Sequence, residues 1–284
     1  MANTKSTYSW RQKYMKRTLG KTLRRALIAQ RICRVDTSNS YLIKSPYGNK
    51  ATATLQALAG TYSVTDWTVT DDNLTVSLEA ISAEHIFDFE SVLMDFDIYM
   101  ERMDEMVFAV KEKIDTYVLN DVLDGANKSY DNSGVISKTN FPTLLANCIG
   151  LVAGYQSYMN KGLFLVLENT DIAAVLEHQF SSGFKFSDVA LKNGLMRMEA
   201  GVEIYVTRTG TFQTATIGGT SYTNLGHRPF GVKGMTTFAF PRDVNYEEKG
   251  VSGKTGKEVF AVGYVGHKTW HVIRDLLVDV DVTT

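Results

Sequence analysis

Cysteine is scarce in this chain. There are two, Cys33 and Cys148, with no spacing that suits a metal. They exclude a disulfide framework and point to a reducing compartment. Four prolines and 21% charged residues exclude a disordered or proline-rich scaffold. No run of 18 or more apolar residues exists, so a spanning helix is not expected. The N-terminus has no apolar core or small-residue cleavage site of a signal peptide. Acid is missing locally as well: residues 1–34 contain no Asp or Glu.

What is present there is basic charge. Those 34 residues carry ten Lys and Arg, whereas the 284-residue chain has a net charge of −1. The remainder therefore holds 20 basic against 31 acidic groups. Such segregation marks a basic tail that meets an acid, either nucleic acid or a protein surface. Residues 8–32 read as a helix. Met15, Leu19, Leu23 and Leu27 recur every four positions and make a narrow apolar stripe. The other faces are basic, with Arg11, Lys16, Arg17, Arg24 and Arg25. A thin stripe and self-repelling charge leave such a helix marginal alone, so it needs a surface to lie on.

Residues 41–81 change to Thr, Tyr, Val and Leu with partial alternation, punctuated by Pro46, Gly48 and Gly60. They read as extended β-hairpins, with "TDDNLT" as a turn. Apolar teeth are few, so the hairpin is expected to project and find support elsewhere. Tyr47, Trp67 and Val69 are its candidate contact residues.

From 87 to 123 apolar residues recur every three or four positions, which reads as a long amphipathic helix that can break near residue 101. Residues 84–124 hold twelve acids and three bases. Two readings stay open. The charge run is a solvated face, or the face carrying Glu101, Asp104 and Glu105 receives basic arms from neighbouring copies. Asn140 and Pro142 open another helix. "LFLVLE" reads as a buried strand, Thr170 as the cap of a short helix, and "GVEIYVT" as a strand with Val202, Ile204 and Val206 on one face. This order makes a compact α/β unit. "GMTTFAF", "VNYEEK" and "EVFAVGYVGHKTWHVI" read as strands, followed by the alternating "DLLVDVDV".

Motifs for chemistry are weak. "GVSGKTG" and "LGKT" look like phosphate loops, but Glu248 and Met15 stand where the first glycine is required. His267 and His271 flank "KTW" in a strand-like region and have no third ligand, so they read as packed or surface histidines. Cys148 lies on an apolar helix face and reads as core. No enzyme, metal or cofactor is expected.

The order of parts carries more. A basic arm, a projecting hairpin ("ATATLQALAGTYSVTDWTVTDDNLTVSLEAI"), a long helix ("MDEMVFAVKEKIDTYVLNDVL") and the stretch "GLFLVLENTDIAAVLEHQFSSGFKFSDVALKNGLMRMEAGVEIYVT" follow one another. This pattern resembles the major capsid protein of tailed bacteriophages, the Hong Kong 97-type fold, across essentially the whole chain. The resemblance implies an α+β fold. Its parts would be an N-terminal arm (1–37), an extended β-hairpin loop (38–82), a peripheral domain with a long spine helix (83–138 and about 238–266) and an axial α/β domain (139–237 and about 267–284). It implies a structural protein of the virion capsid, made in the host bacterial cytoplasm, with no cofactor and no membrane. Partners would be many copies of itself as hexamers and pentamers, a portal, a separate scaffolding protein, and packaged double-stranded DNA held by weak non-specific contact. Two alternatives are an encapsulin-like compartment shell and a DNA-binding protein using the basic helix.

Overall fold

The computed structural model describes residues 27–38, 40–48, 66–86, 96–155, 161–181, 195–199, 201–250 and 256–283, with isolated positions between 53 and 64. It opens on a single helical turn, α1 (Ala29–Ile32), and a short strand, β1 (Arg34–Asp36). β2 (Leu42–Gly48) and β3 (Val69–Thr75) pair antiparallel in a two-stranded ribbon, and β4 (Leu78–Ile86) follows. Then comes α2 (Phe96–Asp124), a helix of 29 residues and so about 43 Å long. It runs unbroken through residue 101, so the break that the spacing allows there does not occur. Between 128 and 207 lie β5 (Lys128–Asp131), α3 (Phe141–Val152), β6 (Leu163–Glu168), α4 (Ile172–Ser181), β7 (Leu195–Glu199) and β8 (Val202–Thr207). The chain returns through β9 (Thr214–Ile217), β10 (Thr220–Thr223), β11 (His227–Val232), β12 (Thr237–Ala239), β13 (Asn245–Gly250) and β14 (Lys257–Lys268). It ends in a 3-10 helix (His271–Leu276) and β15 (Leu277–Asp281).

One sheet has the order β5-β15-β11-β6-β8-β7. β6 is buried at every position because both of its faces are covered. Leu163, Leu165 and Leu167 face α3 and α4, in a core with Phe141, Leu145, Cys148, Val175 and Val278. Phe164 and Val166 face the opposite way, into a core with α2. A strand sandwiched between helices has no polar side to show, which explains the unbroken apolar run. β5, inside the span expected for the peripheral piece, is an edge strand of this sheet and pairs in parallel with β15.

The second sheet is built on β14. β4 and β13 both pair with Lys257–Val262, so they flank it on opposite edges; β12 pairs with Gly266–Lys268, and β1 adds in parallel to β12. α2 serves both sheets. Met103, Met106, Val110, Ile114, Val118 and Val122, spaced by three and four, form its buried stripe. Gly263 lets β14 come close to this helix, since a Cβ there would lie 2.9 Å from Ile114 Cδ1.

Two expectations are corrected. "TDDNLT" is no turn: it lies within β3, paired residue by residue with β2. Asp71 faces Lys44 and Asp72 meets His271 and Lys268, while Leu74 beside them is buried. "HVI" is 3-10 helix rather than strand, because β14 ends at Lys268.

Candidate functional site

Three surfaces could meet other molecules: the root of the arm at α1, the root of the β2–β3 ribbon beside the end of β14, and the acidic side of α2 near Glu84. The first element is the root of the arm. Ile28 and Ala29 both donate their backbone N–H to Asp115 Oδ1 on α2, at 2.8 and 2.7 Å. Gly234 donates to the Ile32 carbonyl at 2.7 Å, and Arg34 to that of Thr236 at 2.8 Å. β1 then zips onto β12, from Arg34 opposite Thr237 to Asp36 opposite Ala239. Ile28, Ala29, Ile32 and Cys33 are buried. Burial pushes the thiols of Cys33 and Cys148 up to about 12, so both behave as core residues. Residues 28–36, although within the span read as arm, are therefore stitched to the body of the subunit, with Ile28, Ala29, Ile32 and Cys33 in its core. Leu27 is half-buried and borders Lys111, Phe238 and Phe240. Arg11, Lys16, Arg17, Leu19, Leu23, Arg24 and Arg25 lie outside the described residues.

The second element is the root of the β2–β3 ribbon. Asp72 Oδ2 accepts the His271 N–H at 2.8 Å, and Lys268 Nζ lies 3.0 Å from Asp72 Oδ1. Burial alone would raise the Asp72 carboxyl, but the His271 amide and the Lys268 ammonium outweigh it and hold it below the usual aspartate range. Tyr47 stacks on His271 with ring centroids 4.9 Å apart, so this candidate contact residue is engaged within its own chain. Trp67 lies against Gly48, where a Cβ would come within 2.2 Å of the indole nitrogen. The outer sides of Trp67 and Val69 stay open, at 74% and 51% exposure. At the opposite end of the ribbon, where Val76 bonds to Tyr41, an open cleft of about 490 Å³ is lined by Tyr41, Val76, Leu78, Glu79, Pro241 and Tyr264.

The third element is the acidic side of α2. Arg102 donates to Glu105 Oε2 at 3.0 Å and, through Nε, to Glu84 Oε2 at 2.7 Å, so Glu105 is partly neutralised by its own helix. Asp104 is exposed. Glu101 lies on α2, and its side chain is outside the described residues.

Behind these surfaces, buried polar ties hold the elements in place. His267 points inward to Asp121 on α2 while the next residue, Lys268, points outward to Asp72. Trp270 Nε1 donates to Thr237 Oγ1 at 2.8 Å. The end of β14 thus joins α2, the ribbon root and the arm root. Tyr222 of the β9–β10 hairpin donates to the other oxygen of Asp121 at 3.0 Å. Arg228 on β11 is buried against Asp171 (Nε to Oδ2, 2.7 Å) and Glu168 (Nη2 to Oε2, 3.2 Å). Glu168 Oε1 accepts the N–H groups of Gly210 and Phe212. These carboxylates are satisfied by fixed donors, an arrangement suited to holding loops rather than to proton transfer. Among the described residues, no group of three or more His, Cys, Asp or Glu is placed to hold a metal ion. Asp115, Asp72 and the Arg228 cluster were invisible to sequence reasoning, since their partners lie 57 to 199 positions away.

No protein-family model and no curated protein matches the chain. Solved structures do. The capsid of cyanophage P-SCSP1u superposes with a TM-score of 0.70 at 11% identity, over 91% of this chain and 89% of that one. The capsid of a native GTA particle gives 0.67 at 12% identity, over 92% of each chain. An encapsulin complex from Synechococcus elongatus gives 0.64 at 12% identity, over 89% and 86%. At these identities the likeness is one of fold, and it runs nearly end to end: the chain has the mixed α and β architecture of phage capsid proteins of the Hong Kong 97 type.

Proposed function

We propose that this protein is the major capsid protein of a tailed bacteriophage, a non-enzymatic subunit that assembles as hexamers and pentamers into an icosahedral shell around double-stranded DNA. The observation that carries the reading is the match to phage capsids over about nine-tenths of both chains. In this reading β2–β3 is the base of the extended loop. α2 is the spine, the β14 sheet belongs to the peripheral domain, and the six-stranded sheet is the core of the axial domain. Trp67 and Val69 exchange water for the surface of an adjacent copy. Residues 1–26 cross to a neighbour, with Leu19 and Leu23 on apolar surface and their Lys and Arg meeting acids such as Asp104. A portal and a scaffolding protein would complete the assembly.

Protein acids are favoured over DNA as the main partner of the arm. Phosphate binding by such a basic segment would be tight and steeply salt-dependent, and a shell has to release its genome. Assembly of nuclease-treated subunits in rising salt tests this choice.

The encapsulin match supports a second reading, a compartment shell that encloses protein cargo. Electron microscopy of purified particles decides between them. Closed shells of uniform diameter are expected, filled with DNA when taken from a phage lysate. Shells holding an enzyme would support the compartment. No curved lattice at any protein or salt concentration would overturn both.

A further inference from the structure

α1 is one turn long and lacks a cap of its own. The residue before it, where Ser, Thr, Asp or Asn would ordinarily accept the free N–H groups, is Ile28. Ile28 cannot serve as a cap, because its side chain carries no hydrogen-bond acceptor; it is instead fully buried in the core. The missing acceptor comes instead from α2, 86 and 87 positions away. A single oxygen, Asp115 Oδ1, receives the successive N–H groups of Ile28 and Ala29. Two consecutive amides converging on one carboxylate oxygen form a small nest. Their lengths of 2.7 and 2.8 Å are those of charge-assisted bonds. Such a contact reads main-chain direction rather than side-chain identity. Downstream of it the chain is stitched to the core by Ile32, Arg34 and β1. The described chain is thus anchored from Ile28 onward by a residue of the long helix.

We infer that Asp115 is a positioning residue for assembly: it fixes the place and direction in which the basic arm leaves the subunit, and so the angle at which copies meet. This rests on the shell reading above. On that reading, one side chain ties the helix that packs against both sheets to the segment that reaches the next copy.

The test uses the full chain with Asp115→Asn and Asp115→Ala. Hydrogen exchange at Ile28 and Ala29 is measured in unassembled subunits, and micrographs are taken under conditions where wild type closes. With Asn, exchange at the two amides should rise about tenfold or more, while β6 and β8 keep wild-type protection. Closed shells should give way to open or irregular sheets. Wild-type shell yield and diameter despite faster exchange would reduce Asp115 to a local cap and overturn the inference. Unchanged exchange would also overturn it. If Ala does not fold, the near-isosteric Asn variant decides; an Asn variant that does not fold assigns Asp115 to folding alone and overturns the proposal. If wild type itself forms no shells, the shell reading fails first and the assembly role falls with it.

Discussion

His267 Nδ1 lies 2.6 Å from Asp121 Oδ2, joining β14 to α2 across 146 positions of sequence. The imidazole is buried, and Asp121 also accepts the Tyr222 hydroxyl. Removing Asp121 leaves a fully buried imidazole without its partner, and removing His267 leaves a largely buried carboxylate short of one. Asp121→Ala should cost on the order of 3 kcal/mol and lower the thermal midpoint by roughly 5–10 °C. His267→Ala should cost a similar amount, and the double variant less than the sum of the two. Calorimetry of the four proteins measures the coupling; additive losses would show that the two side chains do not interact.

The root of the ribbon should loosen in acid. Asp72 has its carboxyl lowered from the ordinary 3.8 by the His271 amide and Lys268, against the opposing effect of burial. A depressed carboxylate stabilises the folded form above its unfolded value, and that contribution fades as pH falls through the lower, folded one. Protection of the His271 amide should therefore be flat above about pH 5 and decline below 3.8. In Asp72→Asn it should be weak at every pH. A wild-type amide that stays protected well below that value, or an Asn variant with normal protection, would sink this account.

Trp67 reports whether the ribbon is covered on assembly. Its indole rests on Gly48 and is otherwise in water. On the shell reading its emission should move to shorter wavelength as subunits close, and Trp67→Phe should remove most of that change. Trp10 and Trp270 supply the remaining signal in both proteins. An identical shift in wild type and variant would mean that Trp67 stays wet in the particle.

Periodicity made the long elements legible. α2 shows its spacing of three and four, and β6 its unbroken apolar run, because burial of those side chains is what selects the element. The β3 residues misled for the opposite reason. Asp71, Asp72 and Asn73 have turn propensity, but pairing with β2 and the use of Asp72 by His271 and Lys268 override it. Local pattern carries no information about pairs such as Asp115 with Ile28 or Arg228 with Glu168, which are set by how the sheets stack. The order of segments told more than any motif, since the basic segment and the ribbon are too poor in apolar residues to stand alone and make sense only beside the long helix and the α/β unit.

Where the arm ends is the point at which sequence and structure part, and two truncations measure it. The basic stretch runs to Arg34, which invites deletion of residues 1–34. That deletion removes Ile28, Ala29, Ile32 and Cys33, all buried in the core around α2. It also takes away the first residue of β1 and leaves Asp115 without its two amide donors. Burial of the two isoleucines alone is worth roughly 3–6 kcal/mol, a large share of the 5–15 kcal/mol typical of a folded domain. A chain lacking 1–34 should melt far below wild type or fail to stay soluble. A chain lacking 2–26 keeps the stitched segment, so it should retain a cooperative transition within a few degrees of wild type while losing closed shells. Normal particles from the shorter truncation would remove the arm from the assembly mechanism, whereas equal melting of the two truncations would show that residues 28–34 contribute nothing to the core.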